Sequence, residues 1–497
     1  MTNIQNILPL IAIAAPLVAA ILIYVLGEHI HPNLREAITF VASGILLVSV
    51  YGIVPHVLQG EKIEILIFQI VKGINFSIKV DAAGMVFACV CSTLWLLTSC
   101  YSVGYMRGHG EKNQTGYFAA FAICIFATIG LCFSANLITF FIFFEILTIG
   151  TYPLVVHYRD EEGRRSGRKY LAYTLISGQI FFASIAIIYV KCGTLEFRPG
   201  GFVDPSLLPM PLMLILFIMM VGAGVVKAGL MPFHSWLPSA MVAPTPVSAL
   251  LHAVAVVKAG AFCTLRVVLY VFGPVTAKAC HGAEILSYMA ALTIIISSLI
   301  AIRKDNLKAR LAFSTIGQLS YIILGISILT PESTVGAIYH IVAHAFMKIT
   351  LFMCAGAIFV TAHKKNISEM VGIGRKMPVT MGAFTTASIA LAGFPFFAGF
   401  VSKANIMLGI VHVNNLFFSM TLVASALLAL TYLMPVVLIA FKKDIVNEEF
   451  QEKGEANYMM RIPLVVTAII SVILGIMPNF GVNLYTLAKM AAIGIFG

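Results

Sequence analysis

Apolar runs of roughly 20 residues recur from one end of the chain to the other, each long enough to cross the hydrocarbon core of a bilayer. Fourteen can be drawn, at about 7–27, 38–58, 82–106, 117–134, 136–157, 169–191, 211–231, 247–271, 284–302, 310–329, 334–361, 380–411, 416–441 and 462–480. The period-two alternation of barrel strands is absent. A bilayer offers backbone N–H and C=O groups no partner outside a helix, so the pattern predicts an all-α polytopic membrane protein with about 14 transmembrane helices. The first run has no basic leader and is too long for the apolar part of a secretory signal, so it reads as a retained first helix.

Composition and charge sharpen this reading. Of 497 residues, 60% are hydrophobic and 11% charged, and the mean hydropathy is +0.97. That leaves too little polar surface for a soluble domain of this size. A net charge of +11 is distributed as topology. When the connections are assigned alternately to two sides, 20 Lys and Arg fall on one side and 6 on the other. The positive-inside rule makes the first side cytoplasmic and both termini external, in the inner or plasma membrane of a prokaryote. The basic balance is therefore no nucleic-acid footprint. Nine cysteines are scattered through apolar helices without a CxxC pair or metal-ligand spacing, and no phosphate-binding loop or nucleophile elbow stands in a strand–helix context. No cofactor, no metal site and no covalent catalysis are expected. At most, the chain would be the ion-moving component of a translocase.

Ionisable residues inside the apolar runs carry the candidate chemistry, because a charge within a bilayer is costly and normally marks an ion or proton path. They are Glu145, Lys227, His252, Lys258, His340, His344, Lys348 and Lys403. Low-polarity surroundings disfavour a lone charge on Glu145 or Lys227, whereas an opposite charge beside it favours ionisation, so the two are expected to pair and to switch one another. The bland alternative for Glu145 is a static ion pair. His340, His344 and Lys348 follow at i, i+4 and i+8, on one helical face. Imidazole both donates and accepts near neutral pH, so the stripe reads as a proton wire; two histidines without a third ligand make a poor metal site. His252 and Lys258 are assigned to an eighth helix, where six residues, about 240° of rotation, set them on different faces. Lys258 is the better carrier and His252 a link from it to Lys227. Lys403 follows Pro395 by eight residues and would be the last carrier before one aqueous side; its alternative is a lysine snorkelling from a helix end. Arg266 is expected at the interface.

Two segments share a pattern, Ala228-Gly-Leu-Met-Pro-Phe233 and Ala392-Gly-Phe-Pro-Phe396. Pro232 and Pro395 free backbone carbonyls in otherwise apolar stretches, and paired interruptions of this kind point to the duplicated halves of a transporter. The resulting division is an N-terminal three-helix region at 1–110, five-helix units 111–280 and 281–445, and a C-terminal helix in 446–497. An odd number of helices per unit makes the two units inverted.

These residues, in this order, resemble the antiporter-like subunits shared by respiratory complex I, Mrp cation/proton antiporters and membrane-bound hydrogenases. The stretches that carry the resemblance are Phe143-Phe144-Glu145, the long run from Lys227-Ala-Gly-Leu-Met-Pro-Phe-His-Ser-Trp-Leu-Pro to Leu251-His252-Ala253, and the His340–Lys348 stripe. The resemblance implies two inverted five-helix repeats with broken seventh and twelfth helices. It matches Glu145 and Lys227 to the family's helix-five glutamate and helix-seven lysine, Lys258 to a helix-eight lysine, Lys348 to the central helix-eleven lysine and Lys403 to the helix-twelve residue at the outlet. With no long lateral helix after the fourteenth, the chain looks closest to the D-type Mrp protein or its hydrogenase counterpart. One departure stands: aligning the two Ala-Gly pairs sets Lys227 against Leu391, so the halves correspond in backbone and not in chemistry.

The expected function is movement of protons, with or without exchange for Na⁺, by one member of a multisubunit membrane complex. The alternatives are a stand-alone solute transporter, a non-conducting scaffold and a redox subunit. The loop 157–169 and the segment 442–461 are the expected places for contacts on the cytoplasmic side.

Overall fold

The computed structural model describes residues 2–253, 255–442 and 454–497, with the side chains of 2–6 and 250–253 outside that description. Its helices run α1 (Thr2–Leu26), α2 (Pro32–Leu58), α3 (Ala82–Gly108), α4 (Gln114–Cys132), α5 (Leu137–Val155), α6 (Glu161–Cys192), α7 (Met210–Ala228), α8 (Trp236–Ser239), α9 (Thr245–Ala253) and α10 (Val256–Arg266). A π-helical stretch, Val267–Phe272, continues α10 into α11 (Gly273–Ala279). Then follow α12 (Gly282–Ile302), α13 (Leu307–Ser327), α14 (Pro331–Ala362), α15 (Ile373–Lys376), α16 (Pro378–Ala392), α17 (Ala398–His412), α18 (Leu416–Phe441), α19 (Tyr458–Ile476) and α20 (Leu484–Phe496).

Thirteen helices among the described residues are long and apolar enough to cross a membrane. The expected twelfth span is two short helices, α16 and α17, of 15 residues each. The helix ends follow from side-chain caps. Asp81, Asn136, Asp160, Asn306, Thr330, Asn415 and Asn457 each accept a hydrogen bond from the N–H three residues on, satisfying a donor the first turn leaves open.

The run at 247–271 is not one helix, contrary to expectation. Ala255 leaves helical geometry, with φ −107° and ψ −86°, so that α9 stops at Ala253 and α10 begins at Val256. Helix seven is thus α7, a break over 229–244, and α9, while the eighth span is Val256–Ala279. The strands form an antiparallel hairpin, β1 (Ile63–Val71) and β2 (Ile74–Val80), paired from Ile63 with Val80 to Val71 with Ile74. The last residue of β2 is followed at once by Asp81, the cap of α3.

At the centre lies α14, packed by α3, α9, α13, α16, α17, α19 and α20. Its residues from Ser333 to Ile358 are all buried. The polar groups within that stretch are therefore withheld from lipid.

Candidate functional site

Both interruptions in the helical run begin at a glycine with positive φ, Gly229 at +74° and Gly393 at +96°, a conformation that costs a residue with a Cβ but not glycine. At the first break, Gly229 and Leu230 N–H return to the carbonyls of Val226 and Val225, and the Trp236 indole Nε1 donates to Val226 O at 2.8 Å. At the second, Gly393 N–H returns to Ile389 and Ala390, and Lys403 Nζ donates to Leu391 O at 2.7 Å and Ala392 O at 3.3 Å. The Lys403 ammonium thus points back from α17 into the C-terminal end of α16, where the helix dipole favours a cation. It is not a snorkelling side chain.

Lys227, in the last turn of α7, has no exposed surface. Its Nζ donates to Phe144 O at 2.7 Å and lies 3.2 Å from the centroid of the Phe144 ring, a cation–π contact. Glu145 is the next residue along α5. The two charges feel each other, but no ion pair or hydrogen bond joins them among the described residues, so the expected pairing is through space and not by contact. Glu145 Oε1 is buried without a hydrogen-bond partner among the described residues and lies against Gly178 of α6, where a Cβ would collide with it. The residue itself is half-buried, on the face of α5 that one turn later carries Ile149, 63% exposed.

In the second half, His340, His344 and Lys348 lie fully buried along α14, with the two imidazole rings stacked at 6.0 Å. His340 Nδ1 is 2.7 Å from Ser402 Oγ and Nε2 is 3.2 Å from Gln318 Oε1. Lys348 Nζ donates to Ser314 Oγ at 2.7 Å and, weakly, to Leu311 O at 3.5 Å. Lys258, also fully buried, sits on α10 facing Cys91 of α3. His340 lies within electrostatic reach of both Lys258 and Lys403, and Lys348 within reach of Lys403. The Tyr321 ring fills the space between, 5.7 Å from the His340 ring and 4.8 Å from Lys403 Nζ. These groups form one polar core at the meeting of α10, α13, α14 and α17. His252 falls on α9 and not on the helix of Lys258, and its side chain lies outside the described residues.

A cavity of about 1060 Å³ opens among residues of the basic side, with Arg165, Lys169, Lys308, Lys364 and Lys365 against Asp160 and Glu162. Lys308, at the start of α13, donates to Ala243 O at 2.6 Å, linking the floor of this vestibule to the break in helix seven. One turn along α13 stands Leu311, whose carbonyl Lys348 approaches. At the rim, Tyr158 OH donates to Glu111 Oε1 at 2.7 Å, and His157 and His109 lie 3.8 and 3.9 Å from the same carboxylate. Burial pushes the Glu111 carboxyl up, but His157, Tyr158 and His109 outweigh it and hold the group below its usual value.

Sequence reasoning passed over several of these groups. Ser314, Gln318, Ser402 and Tyr432 are ordinary helix residues by type, and only their i, i+4 spacing on α13 (Ser314, Gln318) carried any signal. Arg266 was expected at the interface; it is 1% exposed, hydrogen-bonded to both carboxylate oxygens of Asp81, and surrounded by Phe197, Phe262 and Tyr270. The segment 442–461 lies largely outside the described residues, at 443–453.

The fold defines a class of polytopic membrane subunits, and comparison with known proteins identifies the family. A family model described as "NADH:quinone oxidoreductase/Mrp antiporter, TM" matches residues 134–429, and the chain belongs to that family. It is 28% identical over 447 residues to NADH-quinone oxidoreductase subunit N of Desulforudis audaxviator, covering 88% of this chain and 87% of that one. It is 30% identical to a Na(+)/H(+) antiporter subunit of Alkalihalophilus pseudofirmus, covering 84% of this chain but only 54% of that longer one. A chain in the structure of the Mrp complex from Dietzia sp. DQ12-45-1b superposes with a TM-score of 0.86 at 19% identity, covering 100% of this chain and 98% of the other. That likeness concerns the fold. The relatives are membrane subunits of multisubunit assemblies, as the residues led one to expect.

Proposed function

We propose that this chain conducts protons through the membrane as one member of a larger antiporter or complex I-like assembly. The observation that carries this reading is the burial of Lys227, Lys258, His340, His344 and Lys348 in the molecule's interior, each with no exposed surface. Such groups are expensive to hold in a membrane and are kept there for ion or proton paths. The vestibule supplies an entry from the basic side. Lys348 with His340 forms the central exchange point, and Lys403 at the second break leads outward. Glu145 and Lys227 form the switching pair: moving the carboxylate changes the field at the lysine and so its hold on a proton. His252 is the proposed link from Lys227 towards Lys258.

The basic side is cytoplasmic in this proposal, with both termini outside, in a prokaryotic plasma membrane. The units 111–280 and 281–445 are inverted repeats around the two breaks, flanked by 1–110 and 446–497. Partner subunits are called for by Glu145 itself. A partly buried carboxylate with an oxygen left without a hydrogen-bond partner among the described residues, on a helix face whose neighbour Ile149 is exposed, is costly unless a neighbouring protein covers it. Na⁺ exchange would use the same path.

The test is Lys348→Ala in the assembled complex, reconstituted in vesicles with transport followed by a pH-sensitive dye and by Na⁺ tracer. Loss of at least about a hundredfold in proton flux is expected, the scale at which proton-transfer groups contribute. Full transport would show the buried bases to be static and the chain a scaffold.

A further inference from the structure

Lys348 is held away from the histidine stripe of its own helix. Its Nζ reaches across to α13 and ends on the Ser314 hydroxyl, 2.7 Å away. That hydroxyl is in turn 2.9 Å from the phenol of Tyr432, on α18. Nothing in the sequence draws attention to α18, whose span is apolar apart from scattered hydroxyls. Yet Tyr432 is 1% exposed, and the structure fixes it from behind: Arg310 Nη1 donates to the backbone carbonyl of Tyr432 at 2.9 Å. One turn along α13, Gln318 faces the same phenol and also holds His340 Nε2. Ser314 and Gln318 thus present one polar face of α13 to the Lys348–His340 stretch of α14.

We propose that the Ser314–Tyr432 hydroxyl pair is the route by which Lys348 exchanges its proton, with Gln318 positioning His340 beside it. This rests on the conduction reading above. An ammonium is a donor only, whereas a hydroxyl donates and accepts at once. Of the two groups that bond Lys348 Nζ, the Ser314 hydroxyl can accept its proton and pass one on, whereas the Leu311 carbonyl cannot. In the exchange, an N–H bond of Lys348 breaks as an O–H bond forms on Ser314, whose original proton passes to the Tyr432 oxygen. The original phenolic proton then leaves Tyr432 for a water molecule, the final acceptor that the relay requires. One proton moves, Lys348 becomes a neutral amine, and both hydroxyls are regenerated. Gln318 carries no proton: its amide accepts from the imidazole and sets which His340 nitrogen faces Ser402.

The experiment uses the assembled complex in vesicles. Tyr432→Phe keeps the ring and removes only the hydroxyl; Ser314→Ala removes the other. Each is expected to lower proton flux per assembled complex by at least about tenfold and to alter its solvent isotope effect, since the rate-limiting proton hop changes. The double variant is expected to be no slower than the worse single one, because a chain already cut is not cut again, and Ser314→Thr, which keeps a hydroxyl, is expected to restore flux. Complex yield and melting temperature separate loss of folding from loss of transfer. Wild-type flux with an unchanged isotope effect in Tyr432→Phe, while Lys348→Ala is inactive, overturns the relay and leaves conduction standing. Losses in the two single variants that multiply in the double variant also overturn it, since they would report independent packing defects. Full flux in Lys348→Ala would instead remove the conduction reading on which the relay depends.

Discussion

The two helix breaks each carry a lysine, held by different means. Aligned on their Ala-Gly pairs, Lys227 stands opposite Leu391, and it is the carbonyl of Leu391 that Lys403 reaches back to bond. In the first half the lysine belongs to the helix that ends; in the second it comes from the helix that begins. The first half separates two duties. Trp236 helps cap the freed carbonyl of α7, and Lys227 is left to face Phe144 and the field of Glu145. The second half merges them, so that Lys403 both caps α16 and stands in the polar core with Tyr321 and His340. Surroundings differ as well. Lys227 meets a carbonyl, a ring and the field of a carboxylate, while Lys348 meets a hydroxyl and, weakly, a carbonyl. The first arrangement suits a charge whose hold on its proton is switched, and the second suits a charge that passes its proton on.

The largest effect should come from removing the merged residue. Lys403→Met strips two helix-end carbonyls of their side-chain donor, at about 1–3 kcal/mol for each group left unsatisfied, and also removes the charge proposed for the outlet. Both melting temperature and proton flux of the assembled complex are expected to fall. Lys227→Met should fall in flux alone, because Phe144 O keeps the Thr148 hydroxyl as a partner. Equal stability losses in the two variants would erase the distinction between the breaks.

Much of this was legible in the chain itself. Both breaks announce themselves by Ala-Gly followed by proline, and the stripe on α14 by its four-residue spacing, because local sequence determines helix phase and interruption. The division between α9 and α10 was not legible, since Leu251-His-Ala-Val-Ala-Val-Val-Lys258 is unbroken apolar sequence with no glycine or proline at the point where Ala255 turns. Nor was the partner of Arg266, which stands 185 residues away at the end of the β-hairpin. A helical serine such as Ser314 often serves only to bond the preceding turn, and a tyrosine such as Tyr432 is ordinary in an apolar span. What marks these two is their position across from Lys348, and that is set by tertiary packing.

A smaller effect is expected at the cap of the first break. Trp236→Phe keeps an aromatic ring against Tyr170, 5.3 Å away, but deletes the N–H to Val226 O, which retains the Gly229 N–H. A loss of about 1 kcal/mol in stability is expected, measured as a lower denaturation midpoint of the purified complex, with flux falling far less than in Lys227→Met. If flux collapsed as fully as in Lys227→Met, capping and carrying would be one function in the first half too.

The mildest change probes the switching pair without touching either charge. Gly178 gives Glu145 its room: a Cβ there would overlap Oε1, so Gly178→Ala must turn the carboxylate aside, and a side-chain rotation can relieve the clash with little cost to the fold. Lys227 and Glu145 interact across space and not by contact, so a shift of even an ångström or two changes the field at the lysine without breaking a bond. The expected outcome is a complex of normal stability whose flux falls severalfold and whose pH dependence is displaced, whereas the second-half relay through Ser314 is untouched. Combining Gly178→Ala with Glu145→Gln sharpens the point. Once the carboxylate is neutral its position no longer matters electrostatically, and the glycine substitution should add nothing further. An additional loss in the double variant would mean that Gly178 serves the packing of α5 on α6 and that the first half does not work by a movable charge.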